Sequence, residues 1–413
     1  MKCRHCGALL KLPLIDLGSS PPSNAYLSPT ALHAAEPWFP LRVLVCMECW
    51  LAQTEDYARR ESLFAHDYAY FSSYSASWLA HARRYVTDII SRCKLGANSL
   101  VAEIAANDGY LLQYLKVDGI PCYGIEPTAN TAAAARARGL EIIEEFFGEE
   151  LAAHLVEEGR AADLVVANNV LAHVPDINDF VAGVALLLKP EGMATFEFPH
   201  LVSLVAENQF DTIYHEHFSY LSLTAVDRIF ATNGLQVVDV EQLATHGGSL
   251  RVYAMRADTP RLVQGPRVEQ LLAVERREGV GGEEFYRGLQ RRAEKVKDDL
   301  LYFLIDAKRA GSKVGAYGAA AKGNTLLNFA GVRSDLLPWV ADRNPAKQGQ
   351  YLPGSRIPVV DEGRIREERP DYLIVLPWNL YDEIERQLAY VGDWGCRMVR
   401  AVPGLEISGA AGK

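Results

Sequence analysis

Apolar positions change their period along the chain, and the changes mark out three stretches. Up to about residue 80 the pattern is irregular. Pro13, Pro21, Pro22, Pro29, Pro37 and Pro40 break any long helix, and only short apolar runs such as 41–45 read as strands. From about residue 77 a regular alternation sets in. Apolar residues at helical spacing over 78–93 predict a helix, and 99–104 predicts a buried strand closed by Asn107-Asp108-Gly109. Strands follow at 122–126, 140–143, 163–169 and 193–198, with helical patterns at 111–115, 131–138 and 180–188 between them. Such alternation predicts a parallel sheet covered by helices. Residues 265–310 read as long helices, with Phe285, Leu289, Ala293, Val296, Leu300 and Leu304 forming one core-facing stripe. The strand–helix rhythm restarts at 313–317, with further strands at 339–342, 371–376 and 398–402. The chain is therefore α/β, divided at 1–76, 77–260 and 261–413.

Length agrees: at about 150 residues per domain, 413 residues predict two or three domains. Charge narrows the partners. With 42 basic and 52 acidic residues the net charge is 42 − 52 = −10, which is not the footprint of a nucleic-acid or anionic-membrane binder. No apolar run reaches eighteen residues and the first residues hold no apolar leader, so a cytoplasmic location is expected. A monomer acting on a small molecule is a separate expectation, since no residue pattern marks the oligomeric state.

Seven cysteines, an odd number in a long chain, argue against a disulfide framework. Four of them form two pairs, Cys3-x-x-Cys6 and Cys46-x-x-Cys49. Two intervening residues let both sulfurs of a pair reach one ion, and four thiolates fill a zinc tetrahedron. Zinc held this way has no open position and is structural.

Three loops carry the remaining chemistry. Glu103-Ile-Ala105-Ala106-Asn107-Asp108-Gly109 follows a strand and opens a helix, where a doubly wound sheet binds a nucleoside. Glu126-Pro127 closes the next strand, with an acid placed to accept both ribose hydroxyls. Only one glycine is present, which suits a cofactor without phosphates better than a dinucleotide. Asn168-Asn169 and His173 lie at the carboxyl end of the next strand, and the four-residue spacing of Asn169 and His173 gives them one face if the turn is helical.

Tyr214-His215-Glu216-His217 is the densest polar run. It reads as a metal site, a solvated loop, or an acid–base group. Apolar Phe210, Ile213, Phe218 and Tyr220 bracket it and argue against full solvation, and no third metal ligand is evident. For acid–base work, a histidine titrates near 6.5, a tyrosine donates to a developing oxyanion, and a glutamate orients an imidazole. Gly318-Ala-Ala-Ala-Lys322-Gly323-Asn324-Thr325 departs from a phosphate loop by one residue, since Asn324 stands where a lysine is needed. It reads as a plain turn or as a helix start that cradles a diphosphate beside Lys322.

Together with His246-Gly247-Gly248-Ser249-Leu250-Arg251, these motifs resemble, in order along the whole chain, the sugar C-methyltransferases that use S-adenosylmethionine (SAM). The resemblance implies a zinc-binding N-terminal domain, a central class I SAM methyltransferase domain and a Rossmann-like C-terminal domain that helps hold a nucleotide. It implies His217 as base, with Tyr214, Glu216, Asn169 and His173 around the sugar. Glu103, Ala105, Asn107, Asp108, Gly109, Glu126, Pro127 and Asn168 would hold SAM. Tyr68 or Tyr70, His215, Lys322, Asn324 and Thr325 would touch substrate. The implied reaction is methylation at C3 of a nucleotide-linked 4-keto-6-deoxy sugar. The alternatives are methylation at another carbon, a hydroxyl or an amine, or a non-catalytic nucleotide-sugar binder.

Overall fold

The computed structural model describes residues 1–55, 57, 71–260 and 262–408, so Tyr68 and Tyr70 lie outside the described residues. It contains two compact units, which the chain visits in turn. The first comprises Met1–Leu12, Val45–Val202 and Phe218–Phe285; the second comprises Pro13–Leu44, Ser203–His217 and Tyr286–Lys413. The chain therefore crosses between units at five junctions: 12/13, 44/45, 202/203, 217/218 and 285/286.

The proline-rich stretch is more ordered than its composition predicts. It supplies β1 (Leu12–Ser20), β2 (Phe39–Val45) and β3 (Ala52–Thr54). Pro13 is the second residue of β1 and Pro40 the second of β2, near strand starts where a missing N–H is tolerated.

In the first unit, α1 (Ala76–Cys93) precedes β4 (Val101–Ile104), α2 (Leu112–Val117), β5 (Cys122–Ile125), α3 (Ala129–Ala137) and β6 (Ile142–Ile143). Then come α4 (Glu149–Glu157), β7 (Ala162–Asn168), α5 (Ile177–Leu187) and β8 (Leu188–Pro199). After α6 (Leu201–Ala206), β9 (Ser219–Tyr220) pairs antiparallel with β3. The unit continues with α7 (Leu223–Thr232), β10 (Leu235–Leu243), β11 (Ser249–Arg256) and α8 (Pro266–Glu278). Its seven-stranded sheet has the order β10-β11-β8-β7-β4-β5-β6. Contacts from β8 through β6 are parallel, while β11 is antiparallel to both its neighbours.

Helix α1 begins where Ser75 Oγ accepts from the Trp78 N–H at 3.2 Å and ends at Lys94 in the left-handed conformation. It buries Trp78, Ala82, Tyr85, Val86 and Ile89, the face its spacing predicts. Each large side chain so buried contributes about 1.5–3 kcal/mol. All four residues of β4 are buried, as a central parallel strand requires. Strand order reverses between β4 and β7, so the crevice outside their carboxyl ends is the ligand position of such a sheet.

The second unit is built on α10 (Leu289–Arg309), which follows the one-turn α9 (Glu283–Tyr286). Leu289, Ala293, Val296, Leu300 and Leu304 are buried along α10, while Phe285 lies beyond the break at Gly288. Its six-stranded sheet is ordered β14-β13-β12-β15-β16-β17. The strands are β12 (Val314–Tyr317), β13 (Val340–Ala341), β14 (Val359–Val360), β15 (Tyr372–Val375), β16 (Arg397–Arg400) and β17 (Glu406–Ile407). All neighbours are parallel except β16 and β17. Helices α11 (Ala321–Ala330), α12 (Gly363–Glu368) and α13 (Tyr381–Gln387) connect them. Among the described residues no helix is long and apolar enough to cross a membrane.

Candidate functional site

The two Cys-x-x-Cys turns are near copies of one another. The Gly7 N–H donates to Cys3 O at 3.0 Å, and the Trp50 N–H donates to Cys46 O at 2.8 Å. Gly7 (φ 75°) and Trp50 (φ 63°) occupy the same left-handed position after the second cysteine. The four Sγ atoms lie within 4.8 Å of one another, with Cys3–Cys49 at 3.5 Å and Cys6–Cys46 at 3.4 Å. A tetrahedral ion with Zn–S near 2.3 Å sets its sulfurs about 3.8 Å apart, so the cluster fits zinc. The hydrogen bond with Cys49 pulls the Cys3 thiol down to about 4 and pushes Cys49 up.

At the reversal point of the seven-stranded sheet the backbone is held in unusual conformations. Ala105 (φ 59°), Asn107 (φ 49°), Gly109 (φ 78°) and Asn169 (φ 51°) are all left-handed. Glu126 braces this turn. Its Oε2 accepts from the Asn107 N–H at 2.9 Å, and its Oε1 accepts from the Thr128 N–H at 2.9 Å and from the Thr128 hydroxyl. The carboxylate read as a ribose acceptor thus also fixes the turn after β4. Pro127 carries the chain from it into α3.

Among the described residues, Asp108 Oδ1 and Asn168 Oδ1 are buried at this edge without a hydrogen-bond partner, and the Glu103 carboxyl is buried beside Tyr110. Burial pushes the Glu103 carboxyl well above the ordinary range. Buried acceptors without partners suit a ligand rich in donors. SAM has an ammonium, an exocyclic amine and ribose hydroxyls, so these residues fit it.

Two residues that spacing did not single out complete the turn. The Ser72 N–H donates to Asn107 Oδ1 at 2.9 Å, and the Ser73 N–H and hydroxyl donate to Asp108 Oδ2, which Arg138 approaches at 3.4 Å. Asn169 and His173 do not share a helical face. Asn169 is left-handed, and a 3₁₀ turn begins only at Leu171, so four-residue spacing does not align them.

The second unit holds the Tyr-His-Glu-His run. His217 Nδ1 lies 2.9 Å from the Thr212 carbonyl, and an oxygen acceptor there requires Nδ1–H and leaves the lone pair on Nε2. The Tyr214 ring lies 4.0 Å from that imidazole. A backbone carbonyl, invisible in the sequence pattern, therefore orients His217. Glu216 instead accepts from the Asn24 N–H and Nδ2–H at 3.2 Å each, its Oε2 is buried without a partner, and burial raises its pKa. His215 directs Nε2 at the Phe39 and Pro40 carbonyls, 3.3 and 3.2 Å away, and burial lowers its pKa.

Asn324 and Thr325 are buried ties. Asn324 Nδ2 donates to Ser23 O at 2.6 Å, and the Thr325 hydroxyl donates to Ile213 O at 2.8 Å, which anchors the residue before Tyr214. Lys322 Nζ donates to Asn379 Oδ1 at 2.9 Å and stands 4.3 Å over the Trp378 ring. Trp378 Nε1–H donates to the buried Asp211 at 2.8 Å. Burial lowers Lys322 to about 8 and raises Asp211 to about 7, and each charge offsets part of the other's shift.

The fold and the cofactor edge define a SAM-dependent methyltransferase with a structural zinc cluster. Comparison with known proteins sharpens the class. Family models match as a zinc binding domain (residues 3–64), a methyltransferase domain (78–240) and a C-methyltransferase C-terminal domain (244–403). The chain is 36% identical over 383 residues to C-methyltransferase NovU of Streptomyces niveus, covering 93% of this chain and 91% of that protein. It belongs to this C-methyltransferase family. Among solved structures, magnesium protoporphyrin IX methyltransferase (ChlM) from Synechocystis PCC 6803 with bound SAM matches at 16% identity and TM-score 0.33, over 44% of this chain and 82% of that one. The PH0226 protein from Pyrococcus horikoshii OT3 matches at 14% and TM-score 0.37, over 46% and 95%.

Proposed function

We propose that the protein methylates C3 of a nucleotide-linked 4-keto-6-deoxy sugar, in the biosynthesis of an antibiotic or surface-glycan sugar. The observation that carries this reading is the 2.9 Å contact between His217 Nδ1 and the Thr212 carbonyl, since C-alkylation beside a ketone needs a base and a neutral imidazole held this way carries its proton on Nδ1, which makes Nε2 the basic nitrogen. In the proposed reaction Nε2 takes the C3 proton, and the C–H electrons become the enolate. A neutral imidazole is too weak a base for an unassisted ketone, so the enolate oxygen needs donors. Tyr214, Asn169 and His173 are proposed for that role. Glu103, Ala105, Asn107, Asp108, Gly109, Glu126, Pro127 and Asn168 are proposed to hold SAM. When bound, SAM would supply an electrophilic sulfonium methyl, which the enolate carbon would take as the S–CH3 bond breaks and its electron pair stays on sulfur, leaving S-adenosylhomocysteine. Lys322 is proposed to meet the nucleotide's phosphates, with Asn324 and Thr325 holding the surrounding backbone.

The test is incubation in D₂O with a dTDP-linked 4-keto-6-deoxy sugar, without SAM and then with it, followed by NMR and mass spectrometry. Exchange at C3 above the no-enzyme rate, lost in His217→Ala, and then a mass gain of one methyl are expected. Methyl transfer without exchange and without dependence on His217 points instead to a hydroxyl or amine acceptor. Neither exchange nor transfer with dTDP- or GDP-linked sugars overturns the reading.

A further inference from the structure

We propose that His246 is a substrate-facing residue whose imidazole hydrogen-bonds an oxygen of the acceptor during methyl transfer. The inference rests on the C-methylation reading and adds a residue to it. His246 lies in the turn between β10 and β11, at the sheet edge where the cofactor loops lie. Ser249, at the end of this turn, is paired with Pro199 at the carboxyl end of β8, and Gly248 O accepts from the His200 N–H at 3.0 Å. The backbone of His246 is left-handed, φ 56° and ψ 18°. Histidine is among the non-glycine residues that adopt this conformation, and left-handed residues recur at functional sites.

The imidazole is framed rather than free. Its ring centre lies 5.1 Å from that of Trp78, which is 5.9 Å from Tyr110, the residue after Gly109 in the cofactor turn. Trp78 also stacks on His81 at 4.9 Å. His81 Nε2–H donates to Glu197 at 2.9 Å, Arg251 donates to the same oxygen at 2.6 Å, and the Thr245 hydroxyl donates to the other oxygen at 3.0 Å. One buried carboxylate therefore fixes both the residue preceding His246 and the histidine on which Trp78 stacks. Buried charge networks contribute little net stability, but they impose a single geometry. Glu197, Arg251 and His81 are positioning residues, while His246 stays half-buried at the mouth of the turn.

His246→Gly separates function from folding, because glycine relaxes the left-handed backbone while it removes the ring. His246→Asn is the second variant. SAM affinity by calorimetry, melting temperature, C3 exchange without SAM, and kcat and KM for methyl transfer are read for both, beside His217→Ala. Expected are SAM affinity within about twofold, a melting temperature no lower, and kcat down about 100-fold, the scale of a lost oxyanion donor. Turnover of His246→Gly within threefold of the parent overturns the inference, and so does a parallel loss of SAM affinity. Loss of exchange in His217→Ala beside an unaffected His246→Gly sinks this inference alone. A parent enzyme that neither exchanges nor transfers sinks the reading on which it rests.

Discussion

Glu275 on α8 is buried under the start of α7, and its replacement by glutamine tests how the end of β8 is held. Its Oε1 accepts from the Leu223 N–H and His200 Nε2–H, both at 2.7 Å, and its Oε2 accepts from the Thr224 N–H at 2.7 Å and the Thr224 hydroxyl at 2.6 Å. Leu223 and Thr224 are the first residues of α7, so the carboxylate satisfies donors that a helix start leaves open. Glutamine keeps one acceptor oxygen and turns an NH₂ on the other pair of donors. Two charge-assisted hydrogen bonds at about 1.5–3 kcal/mol each predict a loss of about 3–6 kcal/mol at pH 7. Acid dependence supplies a second, independent readout. Burial opposes ionisation of Glu275, but the bonds from His200 and Thr224 outweigh it, and its pKa is lowered. A carboxylate with a depressed native pKa stabilises the fold fully above its unfolded pKa, near 4.3. That contribution is lost as pH falls from there through the native value. Urea denaturation of the parent and Glu275→Gln between pH 7 and pH 2 is therefore expected to show a wide gap that holds down to about pH 4.3 and narrows below it. Equal midpoints at pH 7, or a gap that does not change with pH, would refute the reasoning.

The other predictions concern the metal, the sheet and the buried lysine. Purified protein should carry one zinc by elemental analysis, and Cys46→Ser should carry none and melt at least ~5 °C lower, the equivalent of roughly 2 kcal/mol. Gly124→Ala should cost about 1–3 kcal/mol by chemical denaturation, because its Cβ would sit 2.6 Å from Ala106 Cβ and 2.7 Å from Ile142 Cδ1. Asp211→Asn removes the charge that partly restores the Lys322 ammonium, so the Lys322 pKa, read by NMR after reductive methylation, should fall below its present value of about 8.

Local chemistry was more legible in the sequence than long-range pairing. The cysteine spacing named all four metal ligands, because a knuckle turn is a local structure. The strand–helix alternation located β4, β5 and β7 to within a residue or two at each end, because buried parallel strands are short and almost wholly apolar. The antiparallel β10 and β11 were missed, since their partners are set by a turn with mixed polarity, and so was β1 behind its proline. The site divides the same way. Asn107 and Glu126 were visible as residues at strand ends, but their hydrogen bond, and Ser72 and Ser73 bonding to the same turn, depend on folding. The Thr212 carbonyl that sets the His217 tautomer has no side-chain signature at all. Glu197 did leave a trace, as a lone charge inside an apolar strand.

The five crossings between units impose an order on synthesis. Residues 13–44 leave the ribosome early, yet most of the unit they belong to begins at residue 286. At about 5–20 residues per second that interval lasts roughly 10–50 s, during which Leu14, Ile15, Leu17, Leu41 and Val43 lack most of the apolar surroundings that later bury them. The zinc thiolates, by contrast, are all available once residue 49 has emerged. Metal capture at that stage would close the 3–49 segment into a loop before either large sheet exists. It would shorten the reach of a waiting apolar segment. For the same reason any single cut between residues 45 and 285 divides both units between the two fragments.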